Sequence, residues 1–198
     1  MSTSESKKRR FYRCYSLSDA LEFKYFSVTP RKAILNVERL FHGEFIPDVP
    51  LEFAHRKGRV RGDFMGASYV SIFLVSKRVI DILQEHRFQG WSTYPVLISD
   101  SQGREVEGYS GFSVTGRTGP RFEQRNWYSA LDSGRVVADY EPQKSLFFDP
   151  ATWDGSDIFS PIGSRITLVT ETVAKVLESE RLTNMELELA AVFSLPEK

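Results

Sequence analysis

The sequence predicts an α+β fold: a single domain over residues 11–198, built from two diverged strand-helix-strand repeats at 62–98 and 156–193 with a mixed sheet. The first observation behind this is a pattern that recurs at a constant separation of 94 residues, making Asp63 and Asp157, Ile72 and Ile166, Leu74 and Leu168, Val75 and Val169, Val79 and Val173, Leu83 and Leu177, and Arg87 and Arg181 identical pairs. These are seven of 36 aligned positions, and conservative pairs lie between them (Phe64 with Ile158, Ser76 with Thr170, Ile82 with Val176, Phe88 with Leu182), which reads as divergence from one unit rather than chance. The second is that each segment passes from a short apolar run through a capping hydroxyl to a helix-spaced apolar face. The third is composition: 198 residues, 41% hydrophobic and 26% charged, suffice for one sizeable core in an ordinary globular chain.

Taken in order, residues 1–10 are polar and basic and predict a disordered tail. Phe11, Arg13, Tyr15 and Leu17 alternate with smaller or more polar neighbours, predicting a first strand with Cys14 on the face opposite Arg13. Thr29 and Pro30 form a helix start, because a hydroxyl can cap the first free amides and proline at the first helical position forfeits no hydrogen bond. The predicted helix runs to about Phe41, with Ala33, Val37, Leu40 and Phe41 as its apolar stripe and Gly43 ending it. Pro47, Pro50 and Gly58 make 44–61 a connecting loop carrying a basic cluster, Arg56, Lys57, Arg59 and Arg61. Such a cluster is ordinarily a solvated face, and here it is also a candidate contact surface for an acidic partner.

The first repeat predicts a buried strand at 69–75, an N-cap at Ser76, a helix face of Val79, Ile80, Ile82 and Leu83, a turn at Gly90 and a second strand from Tyr94 to Ile98. Strand, crossover helix and strand make the βαβ pattern, whose connection is right-handed if the two strands share a sheet and run parallel. The second repeat reads likewise, with Ile166 to Val169 as strand, Thr170 as cap, Val173, Val176 and Leu177 as helix face, and Leu187, Leu189 and Ala191 alternating with Glu186, Glu188 and Ala190 in a last strand. Between them 104–116 predicts a strand with Glu105, Glu107, Tyr109 and Gly111 on one face and Val106, Gly108, Ser110 and Phe112 on the other, its glycines marking bulges or close approach. The stretch from Gly119 to Asp139 carries no clear element, and Leu146 to Phe148 a short strand.

The chemistry that the residues exclude is considerable. Twenty-six basic and 26 acidic residues cancel, so no long-range positive field favours nucleic acid. Cys14 is the only cysteine, which removes intrachain disulfides and cysteine metal clusters and makes a reducing cytoplasm the expected compartment. No apolar stretch reaches the ~20 residues of a membrane span, and none near the start reaches signal-peptide length. The spacing of His42, His55 and His86 does not mark any of them as a base for Cys14. GFSVTGRT at 111–118 approaches a phosphate-binding loop, with Arg117 at the lysine position, but strand-like residues and Gly119–Pro120 surround it rather than a helix start. GYSGF around Ser110 lacks the last glycine of a nucleophile elbow. Asp154 and Asp157 in WDGSD read as turn-forming aspartates, since a calcium loop needs more oxygens and a closing glutamate. The residues therefore predict no catalytic, cofactor or metal site.

WDGSDIF followed by RITLVTETVAKVLESERLTNMEL resembles the C-terminal signature of immunity-protein family eleven of bacterial polymorphic toxin systems, and RGDFMGASYVSIFLVSKRVIDILQ with GYSGFSVTG is similar to its first half. The chain is also similar to immunity proteins that carry two CxxCG motifs, but with Cys14 alone their zinc knuckle does not carry over. The resemblance covers most of 62–193 and implies a binding protein that neutralises a cognate toxin, without catalytic residues. A generic interaction or structural protein, a small enzyme and a nucleic-acid binder are the alternatives in descending order; only Arg56 to Arg61 offers a basic face for the last. Trp127 and Trp153 are the candidate partner anchors, because tryptophan is enriched in binding hot spots and both lie in polar segments. The competing reading is that each indole caps the local core.

Overall fold

The structure, a computed structural model, describes residues 10–16, 24–68, 72–120, 148 and 150–190. The expected tail up to residue 9, Leu17, Tyr69, Trp127, Leu146 and Ala191 lie outside the described residues. Within them the chain is mixed α/β and mostly strand: β1 (Phe11–Ser16), β2 (Ser27–Pro30), α1 (Val37–Phe41), β3 (Leu51–Lys57), β4 (Phe64–Gly66), β5 (Phe73–Ser76), α2 (Lys77–Glu85), β6 (Trp91–Tyr94), β7 (Val96–Ser99), β8 (Tyr109–Val114), β9 (Gly116–Pro120), β10 (Ile158–Ile162), β11 (Thr167–Thr170), α3 (Glu171–Ser179) and β12 (Met185–Ala190). A four-stranded sheet has the order β4-β5-β8-β6, a five-stranded sheet β12-β1-β11-β10-β9, and a three-stranded sheet β2-β3-β7.

The segments 94 residues apart take the same local geometry. β4 pairs with β5 through Phe64 opposite Val75, and β10 with β11 through Ile158 opposite Val169. The Ser76 amide donates to the Asp63 carbonyl at 2.8 Å, and the Thr170 amide to the Asp157 carbonyl at 2.9 Å. Each helix starts where the sequence predicts, because Ser76 and Thr170 are extended and their hydroxyls accept from the amides of Val79 and Val173. Each ends where the chain turns left-handed, at Arg87 (φ 55°) and Arg181 (φ 52°). The expected parallel strands are present but not adjacent. β8 lies antiparallel between β5 and β6, and β1 antiparallel between β11 and β12. Leu74 thus faces Gly111 as Leu168 faces Arg13.

One core cluster draws on both segments, taking Val79 and Leu83 from α2, Val173 and Leu177 from α3, and one face of each large sheet. Pleating sends alternate residues there: Phe64, Val75 and Phe112 on one side, Ile158, Val169 and Cys14 on the other. At three matched places a large ring stands in the first segment's sheet and a smaller side chain in the second: Phe64 with Ile158, Phe73 with Thr167, and Phe112 with Cys14, all lining one cavity of about 20 Å³. Pairing large with small lets two similar units interdigitate at interior density where two identical aromatic faces would collide. Opposite faces go elsewhere. Met65 and Leu74 pack with Phe53 and Leu40 beneath the three-stranded sheet and α1, while Phe159 and Leu168 pack with Phe11 and Phe148.

Several expectations are corrected. The two segments do not share one sheet: the first builds a wholly antiparallel sheet, and the second a mixed one through parallel pairing of β9 with β10. Thr29 and Pro30 do not start a helix but end β2 opposite Ala54 and Phe53, and the helix is only Val37–Phe41, with Ala33 exposed. Non-local pairing outweighs the capping signal here, and a proline without an N–H is tolerated on an edge strand such as β2. Residues 44–61 are not all loop, since β3 crosses them; it is held between β2 and β7, and its apolar content is too low to signal a strand. Tyr94 to Ile98 is two strands, because Pro95 breaks the ladder and hands the chain from the four-stranded to the three-stranded sheet. The strand expected over 104–116 is confined to β8. Left-handed Gly108 (φ 85°) shifts the alternation, so Val106 joins one core cluster and Phe112 the other. Gly119 and Pro120, where no clear element is expected, end β9, Gly116–Pro120. Leu189 is 56% exposed near the end of β12.

Candidate functional site

The expected basic cluster is assembled on strand and turn rather than on a loose loop. Arg56 is exposed on β3 where the pairing with β2 shifts register, between His55 opposite Val28 and Lys57 opposite Ser27. Gly58 then turns left-handed at φ 81°, and a Cβ there would meet the Tyr25 carbonyl oxygen at 1.8 Å, so only glycine lets the two backbones close. The amides of Arg59 and Val60 both donate to the Lys24 carbonyl at 2.9 Å, the Phe26 amide donates to the Val60 carbonyl at 2.8 Å, and Tyr25 bridges Val60 in parallel. Arg59 and Arg61 are exposed on either side of Val60, itself 44% exposed. Lys24, exposed with its Nζ 5.4 Å from the Tyr25 ring centroid, belongs to the same rim. Lys24 was not legible as a member, because 35 residues separate it from Arg59 and only the backbone clasp joins them.

Trp153 is half-buried. Its ring lies edge-on to Phe11 with centroids 5.2 Å apart and tilts over Phe159 at 5.6 Å, while its Nε1 donates to the Ser156 carbonyl at 3.0 Å. It closes the small cluster on the far face of the five-stranded sheet and presents only part of itself outward. Trp127 lies outside the described residues.

The charged groups that a reaction would recruit hold the backbone instead. Asp63 Oδ2 accepts from the Thr183 amide and hydroxyl, both at 2.9 Å, its Oδ1 accepts from the Ser76 hydroxyl at 3.0 Å, and Arg78 stands 3.4 Å away. Asp157 Oδ2 accepts from the Gln89 amide at 2.9 Å. Asp154 Oδ1 accepts from the Ser156 amide and hydroxyl and its Oδ2 from the Arg117 amide at 2.7 Å. Partial burial works to raise the Asp154 pKa, but these hydrogen bonds and the Arg117 charge outweigh it and hold it below the ordinary carboxylate value. This is the turn expected of WDGSD. Arg117, in the near-match to a phosphate loop, donates to the carbonyls of Val114, Gly116 and His42, and so ties the passage from β8 to β9 to the end of α1. Burial, only partly offset by Glu44 and Asp154, lowers its pKa.

Cys14 is sealed in the apolar cavity, where burial pushes its thiol up to about 12, and no histidine lines that cavity. His55 lies tilted against Phe26 with ring centroids 4.6 Å apart and donates to the Gly58 carbonyl at 2.8 Å, and His86 caps α2. His42 is 6% exposed, and its Nδ1 meets no partner among the described residues. Burial first and the Arg117 charge second lower its pKa, against Glu44, Glu38 and a hydrogen bond to the Ser164 backbone. Among the described residues no three of histidine, cysteine, aspartate and glutamate are grouped to hold a metal, and no helix is long and apolar enough to cross a membrane. No protein-family profile and no curated protein matches the chain.

Proposed function

We propose that the chain is an immunity protein, a non-catalytic binder that neutralises a cognate bacterial toxin by occupying its surface in the cytoplasm, without nucleic acid, membrane or cofactor. In this reading the segments at 62–98 and 156–193 are diverged repeats within a single domain. Their equal registers, equal helix caps and shared core cluster support that reading. The resemblance of RGDFMGASYVSIFLVSKRVIDILQ and of WDGSDIF with the helix after it supplies the partner class.

The observation that carries the proposal is where the polar side chains are directed. Asp63, Asp154, Asp157 and Arg117 bond inward to backbone groups, whereas Arg59 and Arg61 are exposed beyond one end of the three-stranded sheet. Charges so divided suit recognition more than turnover, since preorganised surface charge sets association rate and specificity. Trp153 contributes through the edge it leaves exposed.

The test is to co-express the chain with the toxin encoded beside it, follow survival and look for a complex by size-exclusion chromatography. Protection with a recovered complex is the expected outcome. Death as fast as without the protein, and no complex, would sink the immunity reading and favour an interaction protein with a different partner.

A further inference from the structure

We propose that the rim of Lys24, Arg56, Arg59 and Arg61 around Val60 is the docking surface, and that its occupant is an acidic segment of the partner protein; this rests on the immunity reading above. Three features converge there. Four cations and no carboxylate lie within residues 54–62, in a chain whose formal charges as a whole cancel to zero. Lys24 adds a fifth cation from a distant part of the sequence through the clasp that its carbonyl makes with two successive amides. The backbone carrying them is held by the Gly58 close approach, the Tyr25–Val60 bridge and the antiparallel pairing of β2 with β3, so the cations project from an ordered frame. A preordered surface loses less entropy on binding, and a patch of one sign steers an oppositely charged partner to it.

Val60 decides between the possible polyanions. Val60, exposed between Arg59 and Arg61 in the chain, offers an apolar contact beside the charges, which matches a protein segment that alternates acidic and apolar side chains. A nucleic-acid track instead needs cations aligned along successive phosphates. Beyond the rim the charges change sign, since the exposed Glu52 lies four residues before Arg56 on β3, which confines the positive patch to one end.

The experiment compares the wild type with Arg59→Glu/Arg61→Glu and with a control, Arg39→Glu/Lys175→Glu, placed on the helices. Thermal melts first check that each remains folded. Against the neighbouring toxin, the rim variant should associate about tenfold more slowly or worse, with a weaker salt dependence, and the control should not. Equal losses in both variants, or none in either, overturn the rim while leaving the immunity reading intact. If the wild type does not bind the toxin, that reading fails by itself, and amide NMR titrations with a short glutamate- and leucine-rich peptide and with a short DNA duplex decide the rim. Shifts confined to residues 24–25 and 56–61, produced by the peptide and abolished in the rim variant, sustain it for another acidic protein. No such shifts, or larger ones with the duplex, overturn it.

Discussion

Asp63 and Thr183, 120 positions apart, are joined by three hydrogen bonds: the Asp63 amide donates to the Thr183 hydroxyl at 2.9 Å, and the Thr183 amide and hydroxyl both donate to Asp63 Oδ2. The same contact occurs in reverse 94 residues on, where Asp157 accepts from the Gln89 amide. Each aspartate that opens one segment therefore holds the chain just after the helix of the other. The neighbouring backbone follows suit, with the Phe64 amide donating to the Thr183 carbonyl and the Ile158 amide to the Gln89 carbonyl.

Removing this clasp is expected to loosen both segments together. Asp63→Ala leaves the Thr183 amide and hydroxyl and the Ser76 hydroxyl without their acceptor and should cost about 2 to 4 kcal/mol, since hydrogen bonds to a charged group are worth about 1.5–3 kcal/mol each before water replaces some of them. Asp157→Ala, which loses a single charged acceptor, should cost less. Urea titrations of Asp63→Ala, Thr183→Ala and the double variant check this, and additive effects would mean that the pair is not coupled.

Leu83 and Leu177 both line the cavity between the segments and are 1% and 3% exposed. Truncating either to alanine enlarges an existing void that packed rings on both sides cannot easily close. A loss of about 2 to 5 kcal/mol is expected in denaturant melts. A loss below about 0.5 kcal/mol would show that the site collapses freely or that the helix face is wrong.

His42 should make the fold sensitive to mild acid. Its pKa is lowered in the folded chain, so the unfolded chain binds the proton more tightly and stability falls as pH drops below the ordinary imidazole value of about 6.5 towards the folded value. Replacement by phenylalanine should flatten the slope of stability between about pH 7 and pH 5. Melts at several pH values that keep the wild-type slope in His42→Phe would assign the effect elsewhere.

Cys14 has the opposite linkage. Burial raises its pKa to about 12, so the folded chain retains a proton that the unfolded chain loses from its ordinary value of 9.0, and stability falls as pH rises between the two. At neutral pH the thiol should resist alkylation in the native state and react only when urea unfolds the chain. Rapid native labelling would place Cys14 outside the cavity.

The two helices were legible because their signals are local. A capping hydroxyl at Ser76 or Thr170 and apolar residues at helical spacing act within a few residues, and the separation of 94 fixes which positions correspond. Thr29 and Pro30 carry the same kind of local signal, but the pairing of β2 with β3 overrides it, and β3 itself is hidden because half of it faces solvent. The basic cluster was legible as Arg56, Lys57, Arg59 and Arg61, but its frame and its fifth cation, Lys24, were not.

The sequence by itself determined the mixed α/β character, the two matching helices with their caps and inward faces, and the exclusion of an intrachain disulfide, since each follows from residue types or short-range spacing. Only the tertiary structure decided that β1 and β8 would enter between the parallel strands, that the segments would build separate sheets, and that Asp63 would find Thr183. Strand partners and long-range hydrogen bonds are chosen among distant backbone groups that are chemically alike. Burial and shape, such as Phe73 against Thr167 and Phe112 against Cys14, settle that choice once the chain has closed on itself.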